Sequence, residues 1–543
     1  MVFARRSTTL LAAIIASCAM VLSLTACTSD NKTVVDGQTT VTSNSAGGVA
    51  VFTPSDGITL NQQTPLNKWA KLVPDLAKAL ADAGFKKGDI DHTTSDSLAK
   101  QSRAIQDFVV DHLSNNTTDD SGIAIAPDNM TLLVAPVVEA DASTRQYGDY
   151  ISQNLSTNDA TDGEATSDGE SSEDDSSKDD SSNTESDSTA SDEQAQAVDR
   201  LVSSLKLAKE SGTHVVLLGN SIEGYKPDAF VKFSDAQTIG KLQAEKMVSK
   251  LKLDKASKDN PKYIEVLLPY TAVDEKGNAN DSTFAQEAFR GIWQVLGSYY
   301  QKGVVESPSG TLDGKSTEND WQAVAYDAAK EGSTAKVLDK RLAKTDGQST
   351  LTRIDGIITM NDYIASEVVK ELDDLGYTGS AADINPQITI SGIVGNITGK
   401  KDLSRDAVPD PIKSPENDNA NDSSSSDDDA DEDTSASDKD RDSQWPLVTG
   451  YGAYVSNIPS IVNGKQWMTG MEDRQTIATD IAQACAKLNK DEALNSMPSI
   501  RNSEVGGVKK IPTISEPLLA VSASNLKSAL IDPGYISLAD AGL

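Results

Sequence analysis

Apolar positions along the chain fall into two alternating kinds of run. Stretches that are apolar almost throughout, such as GGVAVFTP, GIAIAPD, THVVLLGN, FVKFSD, YIEVLLPY, DGIITMND and PLVTGYG, read as strands buried on both faces. Between them, DSLAKQSRAIQDFVVDHLS, AVDRLVSSLKLAKESG, AQTIGKLQAEKMVSKL, TFAQEAFRGIWQVLGSYY and YIASEVVKELDDLGY repeat apolar residues every three or four positions, as helices with one buried face do. Alternation of this kind predicts parallel sheets with helices on both faces. The alternating residues are too many for one comfortable sheet. The expected fold class is therefore α/β, with two doubly wound parallel-sheet lobes and a cleft between them.

Two segments interrupt the pattern. Residues 156–194 hold 14 acidic residues and one lysine, and residues 414–443 hold 12 acidic and two basic residues. With so few apolar side chains neither offsets the entropy of ordering, so both are expected to be disordered surface insertions. Together they carry most of the formal charge of −33, which leaves the folded remainder only mildly acidic. Nucleic-acid binding is not expected, because it requires a basic patch. The run DDDADED lacks the turn glycine and terminal glutamate of an EF-hand loop and reads as a solvated charge run rather than a calcium site.

The N-terminus is read as directing the chain out of the cytoplasm. Arg5 and Arg6 precede an apolar segment and then Leu24-Thr25-Ala26-Cys27, read as a lipoprotein signal in which Cys27 is expected to be acylated and to become the first mature residue. The apolar run falls short of the ~20 residues that span a bilayer. Residues 1–26 are thus read as signal peptide and 27–46 as a lipidated flexible tether. With Cys18 in the signal and Cys27 carrying lipid, Cys485 is the one remaining thiol and no intrachain disulfide is expected.

Catalytic chemistry finds little footing. His92, His112 and His214 sit in no metal-ligand spacing and near no nucleophile motif. No phosphate-cradling glycine loop follows the first strand. The chain is read as a non-enzyme without cofactor or metal.

The ordered series HVVLLGNSI, FVKFSDAQTIGKLQAE, YIEVLLPY, FRGIWQVL, IDGIITMNDYIASEVVKELDDLGY, PLVTGYGAYVSNIPSIVNGKQWMT and GGVKKIPTISEPLLAVSASNLKSALIDPGY resembles the type I periplasmic-binding-protein superfamily, and within it the xylose- and multiple-monosaccharide-binding receptors of ABC importers. The resemblance runs from about Gly47 to the C-terminus. It implies two lobes joined by three crossovers, near GYKPDAFVKF, near QWMTGMED and after RQTIATDIAQACAKLN. The first lobe would take 47–226 and the helix at 472–489, and the second 227–471 and the C-terminal segment 490–543. The implied function is capture of a monosaccharide in the cleft and delivery to the permease subunits of an ABC importer. The protein would be a monomer, held to the outer face of the cytoplasmic membrane by its lipid.

The resemblance also implies binding positions. Lys68 and Trp69 match a basic residue and a tryptophan after the first strand, with Trp69 as the ring that stacks on sugar C–H faces. Asn361 and Asp362 match a strand-end Asn/Asp pair, Arg290 an arginine before Gly291, and Asn278 and Asn280 an asparagine pair. Two positions depart from the pattern: Gly219-Asn220 stands where Asp-Arg is usual, and Gly450-Tyr451-Gly452-Ala453 where Gly-Gln-Asp-Ala is usual. Three readings follow. The ligand is a less polar sugar, glycoside or cyclitol, with Tyr451 offering a ring face and Asn220 a neutral amide. Or the cleft no longer takes sugar, and the protein is a sensor or interaction lipoprotein on the same scaffold. Or ITISGIVGN is the true strand before the last ligand tip and PLVTGYG an addition.

Overall fold

The computed structural model describes residues 46–55, 65–115, 129–138, 144–157, 184–273, 280–343, 351–381 and 443–543. The leader, Cys27, the tether, GIAIAPD, Asn278, ITISGIVGN and most of both acidic segments lie outside these residues. No described helix is long and apolar enough to cross a membrane.

The first sheet begins with five parallel strands, β1 (Gly48–Pro54), β2 (Ile90–Ser95), β3 (Met130–Val134), β4 (His214–Leu218) and β5 (Ala229–Lys232), side by side in the order β2-β1-β3-β4-β5. The second repeats that winding with β6 (Lys262–Val266), β7 (Val305–Glu306), β8 (Gly356–Ile358), β9 (Leu447–Tyr451) and β10 (Met468–Met471), ordered β7-β6-β8-β9-β10. This is the flavodoxin-like order of an open sheet, used twice. The hairpin of β11 (Ile500–Val505) and β12 (Val508–Ser515) then returns to the first sheet, where β12 lies parallel to β5. Finally β13 (Leu519–Ser522) closes the second sheet antiparallel to β10.

The apolar runs work as two-sided strands because successive side chains point to opposite faces. In β1, Val49 and Val51 enter one core while Ala50 and Phe52 enter another; in β4, Val216 and Leu218 part from Val215 and Leu217 in the same way. One face is covered by α1 (Trp69–Asp82) and the other by α2 (Leu98–Asn115) and α3 (Thr184–Glu210). The second sheet is covered by α4 (Ala236–Leu251) and α5 (Thr283–Gln301) on one face and by α6 (Ser333–Arg341) and α7 (Asp362–Leu375) on the other. The α4–α5 crossing is close enough that a Cβ on Gly291 would lie 2.0 Å from the Gln237 carbonyl oxygen. The helix α8 (Arg474–Leu488) packs its Ile477, Ile481 and Cys485 beside α1 on the first sheet.

Several expectations shift. The third strand is MTLLV, just downstream of GIAIAPD. Because β5 belongs to the first sheet, the first crossing follows Lys232, not residue 226. Residues 500–515 also join the first sheet, so the third crossing falls between β12 and β13, not after α8, and the assignment of all of 490–543 to the second lobe does not hold. In β12 the exposed Lys509 and Lys510 precede Ile511, Thr513 and Ile514, which are buried where the strand pairs with β5. Helix α3 starts at Thr184, inside the stretch 156–194 expected to be disordered. Acidic residues at a helix N-terminus are favoured by the helix dipole, so this composition does not forbid the extra turns.

Candidate functional site

The residues that follow the carboxyl ends of β1, β3 and β5 meet those that follow β8 and β9, forming a seam between the sheets. After β1 comes Leu66-Asn67-Lys68, and Trp69 opens α1. Trp69 is 3 % exposed, with its ring edge-on to Tyr150 at 5.1 Å and to Phe233 at 5.7 Å between centroids. It is a core ring packed against two aromatic side chains.

At the end of β9, Tyr451 is fully buried. Its hydroxyl accepts from Asn67 Nδ2 at 2.9 Å and shares a hydrogen bond with Ser234 Oγ, in the segment after β5. The backbone N–H of the same Ser234 donates to the Glu472 carboxylate, which burial pushes up to about 7, its hydrogen bonds pulling the other way.

Following β8, Asn361 caps α7 by accepting from the Ile364 N–H at 2.9 Å, and donates from Nδ2 to Gln146 Oε1 at 3.0 Å. Asp362 is fully buried and accepts from Gln466 Nε2 at 2.7 Å, Thr469 Oγ1 at 2.9 Å and the Tyr454 N–H at 2.9 Å. Burial raises its pKa to about 6, and those donors hold the rise down. Gly450 makes this possible, since a Cβ there would stand 2.2 Å from Asp362 Oδ1.

Asn220, after β4, donates to the Pro136 carbonyl at 2.9 Å and accepts from the Gln153 N–H at 3.0 Å. Asn280 donates to the Thr271 carbonyl at 2.9 Å, tying its own loop. Arg290 pairs with Glu287 one turn earlier on α5 and is half-exposed. Asn278 is outside the described residues. PLVTGYG forms β9 between β8 and β10, which makes it an integral strand of the second sheet and not an addition.

Residues 144–157, between β3 and α3, were not singled out in the sequence. Tyr147 packs its ring on Phe284 at 4.7 Å and near Tyr451 at 6.2 Å. The Gln146 carbonyl accepts from the Tyr454 hydroxyl at 2.6 Å. Asp149 holds Lys68 Nζ at 2.8 Å and the Trp69 N–H at 3.1 Å. Tyr150 stacks on Phe233 at 4.7 Å, and its hydroxyl donates to the Lys68 carbonyl at 2.6 Å. Among the described residues, the buried hydroxyls of Tyr147 and Ser152 have no hydrogen-bond partner, and Asn361 faces that of Tyr147. Leaving such a group unpaired costs about 1–3 kcal/mol. The available signal was a cluster of aromatic residues in RQYGDYISQNL, unusual in so polar a region.

Two parallel sheets of one winding, joined by three crossings, with the segments after their strand ends meeting at a seam, make this a type I periplasmic-binding-protein-like fold. No family model and no curated protein matches the chain. Among solved structures it is similar to an ABC-transporter solute-binding protein from Clostridium phytofermentans with bound β-D-glucose (16 % identity, covering 91 % of this chain and 99 % of that one, TM-score 0.44). It is also similar to a carbohydrate-transporter solute-binding protein from Chloroflexus aurantiacus in complex with D-glucose (18 % identity, 92 % and 98 % covered, TM-score 0.42). A third is a solute-binding protein from Bacillus halodurans with bound myo-inositol (11 % identity, 90 % and 98 % covered, TM-score 0.36).

Proposed function

We propose that the protein is an extracytoplasmic, lipid-anchored solute-binding protein that takes a monosaccharide or related carbohydrate at the seam and hands it, as a monomer, to an ABC importer. The observation that supports this reading is that Trp69, Asn361 and Tyr451, drawn from both sheets, lie along one seam of aromatic rings and hydrogen-bonding groups, with Asn220 tied to its margin through Gln153. Rings for C–H faces and amides or hydroxyls for sugar hydroxyls are the chemistry a carbohydrate requires. Opening and closing about the crossings would admit the ligand. The role is binding rather than catalysis.

One observation favours a second reading. The polar atoms of Asn220, Asn361, Asp362 and Tyr451 are already bonded to protein partners. A scaffold with a seam satisfied by its own side chains suits a sensor or interaction lipoprotein as well. A thermal-shift screen of the full chain in detergent against monosaccharides, sugar acids, cyclitols and short oligosaccharides decides between them. A sugar that raises the melting temperature, with affinity lost in Asn361→Ala, supports the first reading. No shift across the panel from a folded sample rejects it in favour of the second.

A further inference from the structure

Residues 144–155 touch four of the positions assigned to ligand binding. Gln146 Oε1 accepts from Asn361 Nδ2 at 3.0 Å, the Tyr147 ring lies beside Tyr451 at 6.2 Å, and Asp149 and Tyr150 cover the backbone and ring of Trp69. The Gln153 N–H donates to Asn220 Oδ1 at 3.0 Å. Side chains of this segment enter both cores, Tyr147 and Ile151 that of the second sheet and Tyr150 that of the first. A single peptide thus supplies rings, an amide, a carboxylate and a backbone donor to the groups that a sugar would otherwise engage.

We propose that residues 144–155 are an intramolecular occupant of the seam, a strap that a carbohydrate ligand must displace in order to bind. The proposal rests on the solute-binding reading above and adds its regulation. Besides its buried side chains it is held by Gln146 to Asn361 and Tyr454, Asp149 to Lys68 and the Trp69 N–H, Tyr150 to the Lys68 carbonyl, and its Asp149, Ser152 and Gln153 amides to Asn67, Ser234 and Asn220, and these are the bonds a ligand would have to exchange. Its Ser152 hydroxyl is buried without a partner, so leaving the seam lets water satisfy it. Competition of this kind lowers apparent affinity by the fraction of molecules with the strap withdrawn.

The test uses the full chain in detergent, with calorimetric titration of D-glucose, D-xylose, myo-inositol and D-glucuronate. Wild type is compared with Gln146→Ala and Asp149→Asn, which loosen the strap without removing a buried ring. The proposal expects tenfold or greater tightening for at least one of these ligands in both variants. Hydrogen exchange on wild type adds a readout free of mutation. The Asp149, Ser152 and Gln153 amides, bonded in the structure to the Asn67 carbonyl, the Ser234 carbonyl and Asn220 Oδ1, should exchange faster when ligand is saturating. Sugar binding by wild type with unchanged affinity in both variants and unchanged or slower exchange of those amides overturns the strap and leaves the solute-binding reading intact. Absence of binding by wild type and by both variants overturns the solute-binding reading and the strap with it.

Discussion

The Tyr451 hydroxyl accepts a hydrogen bond from Asn67 across 384 positions of sequence and shares another with Ser234, so the last residue of β9 is fastened to two segments that follow strands of the other sheet. All of this is buried, and Asn67 is 1 % exposed. Replacing Tyr451 with phenylalanine keeps the ring and leaves both partners short of a hydrogen bond. We expect Tyr451→Phe to lose about 1–3 kcal/mol of unfolding free energy in urea. A loss below about 0.5 kcal/mol would mean that the network does not hold the two sheets together.

Gly450 gives a sharper steric test. A Cβ added there meets Asp362 Oδ1 at 2.2 Å and Gln466 Nε2 at 2.8 Å, two members of a fully buried cluster. Gly450→Ala should destabilise by more than about 2 kcal/mol, because neither group can retreat without breaking its hydrogen bonds. Gly224→Ala is the contrast. With nothing near its Cβ position but a φ of +69°, it should cost only about 1 kcal/mol of backbone strain. Equal melting temperatures for the two variants would contradict the packing around Asp362.

Much of this architecture is legible in the chain. β1, β4 and β8 are apolar almost throughout, and a run of that kind is stable as a strand only with apolar packing on each side of its sheet. β2 gave no such signal because IDHTTS is a mostly exposed edge strand with one buried residue. The β11–β12 hairpin was not read as strand, and the sheet it joins depends on a long-range pairing of Thr513 with Phe230. At the site, the strand-end residues Asn361, Asp362 and Tyr451 were singled out through the resemblance. Their partners were not. Gln146, Asp149 and Glu472 are ordinary polar residues whose meaning comes from burial against segments distant in sequence.

Glu472 and Asp362 make stability depend on pH in a definite direction. Burial raises them to about 7 and about 6, above the values of about 4 that such carboxyls have in an unfolded chain. The folded protein therefore holds protons that the unfolded chain releases between about pH 4 and 7, so these two groups favour folding most at the low end of that window. Their contribution falls as pH rises through it and levels off above about 7. Asp235, beside Glu472, is lowered by its Lys232 and Thr238 hydrogen bonds and acts in the opposite sense at lower pH, so the difference between variants is the useful quantity. Glu472→Gln, neutral throughout, should gain stability relative to wild type by on the order of 2 kcal/mol between pH 5 and pH 8. A difference that stays flat across that range would show that Glu472 titrates normally.

The second acidic segment offers a test of what the sheet needs. The chain leaves the described residues after Ala381 and returns at Ser443, and the two sides are already joined. The Thr378 N–H donates to the Ser443 carbonyl at 2.8 Å, and the Trp445 N–H to the Thr378 carbonyl at 2.8 Å. Ala381 is also held, its N–H donating to the Gly464 carbonyl at 3.0 Å. Replacing the intervening stretch with a short Gly/Ser linker therefore costs little chain entropy, since the entropy of closure changes slowly with the length closed. Replacing residues 386–440 by such a linker should leave the melting temperature within a few degrees of wild type and the far-ultraviolet circular dichroism per molecule nearly unchanged. The deletion removes ITISGIVGN as well as the acidic run. If that stretch were an integral strand of the second sheet, the shortened chain would lose cooperative unfolding, and the placement of β9 between β8 and β10 would have to be abandoned.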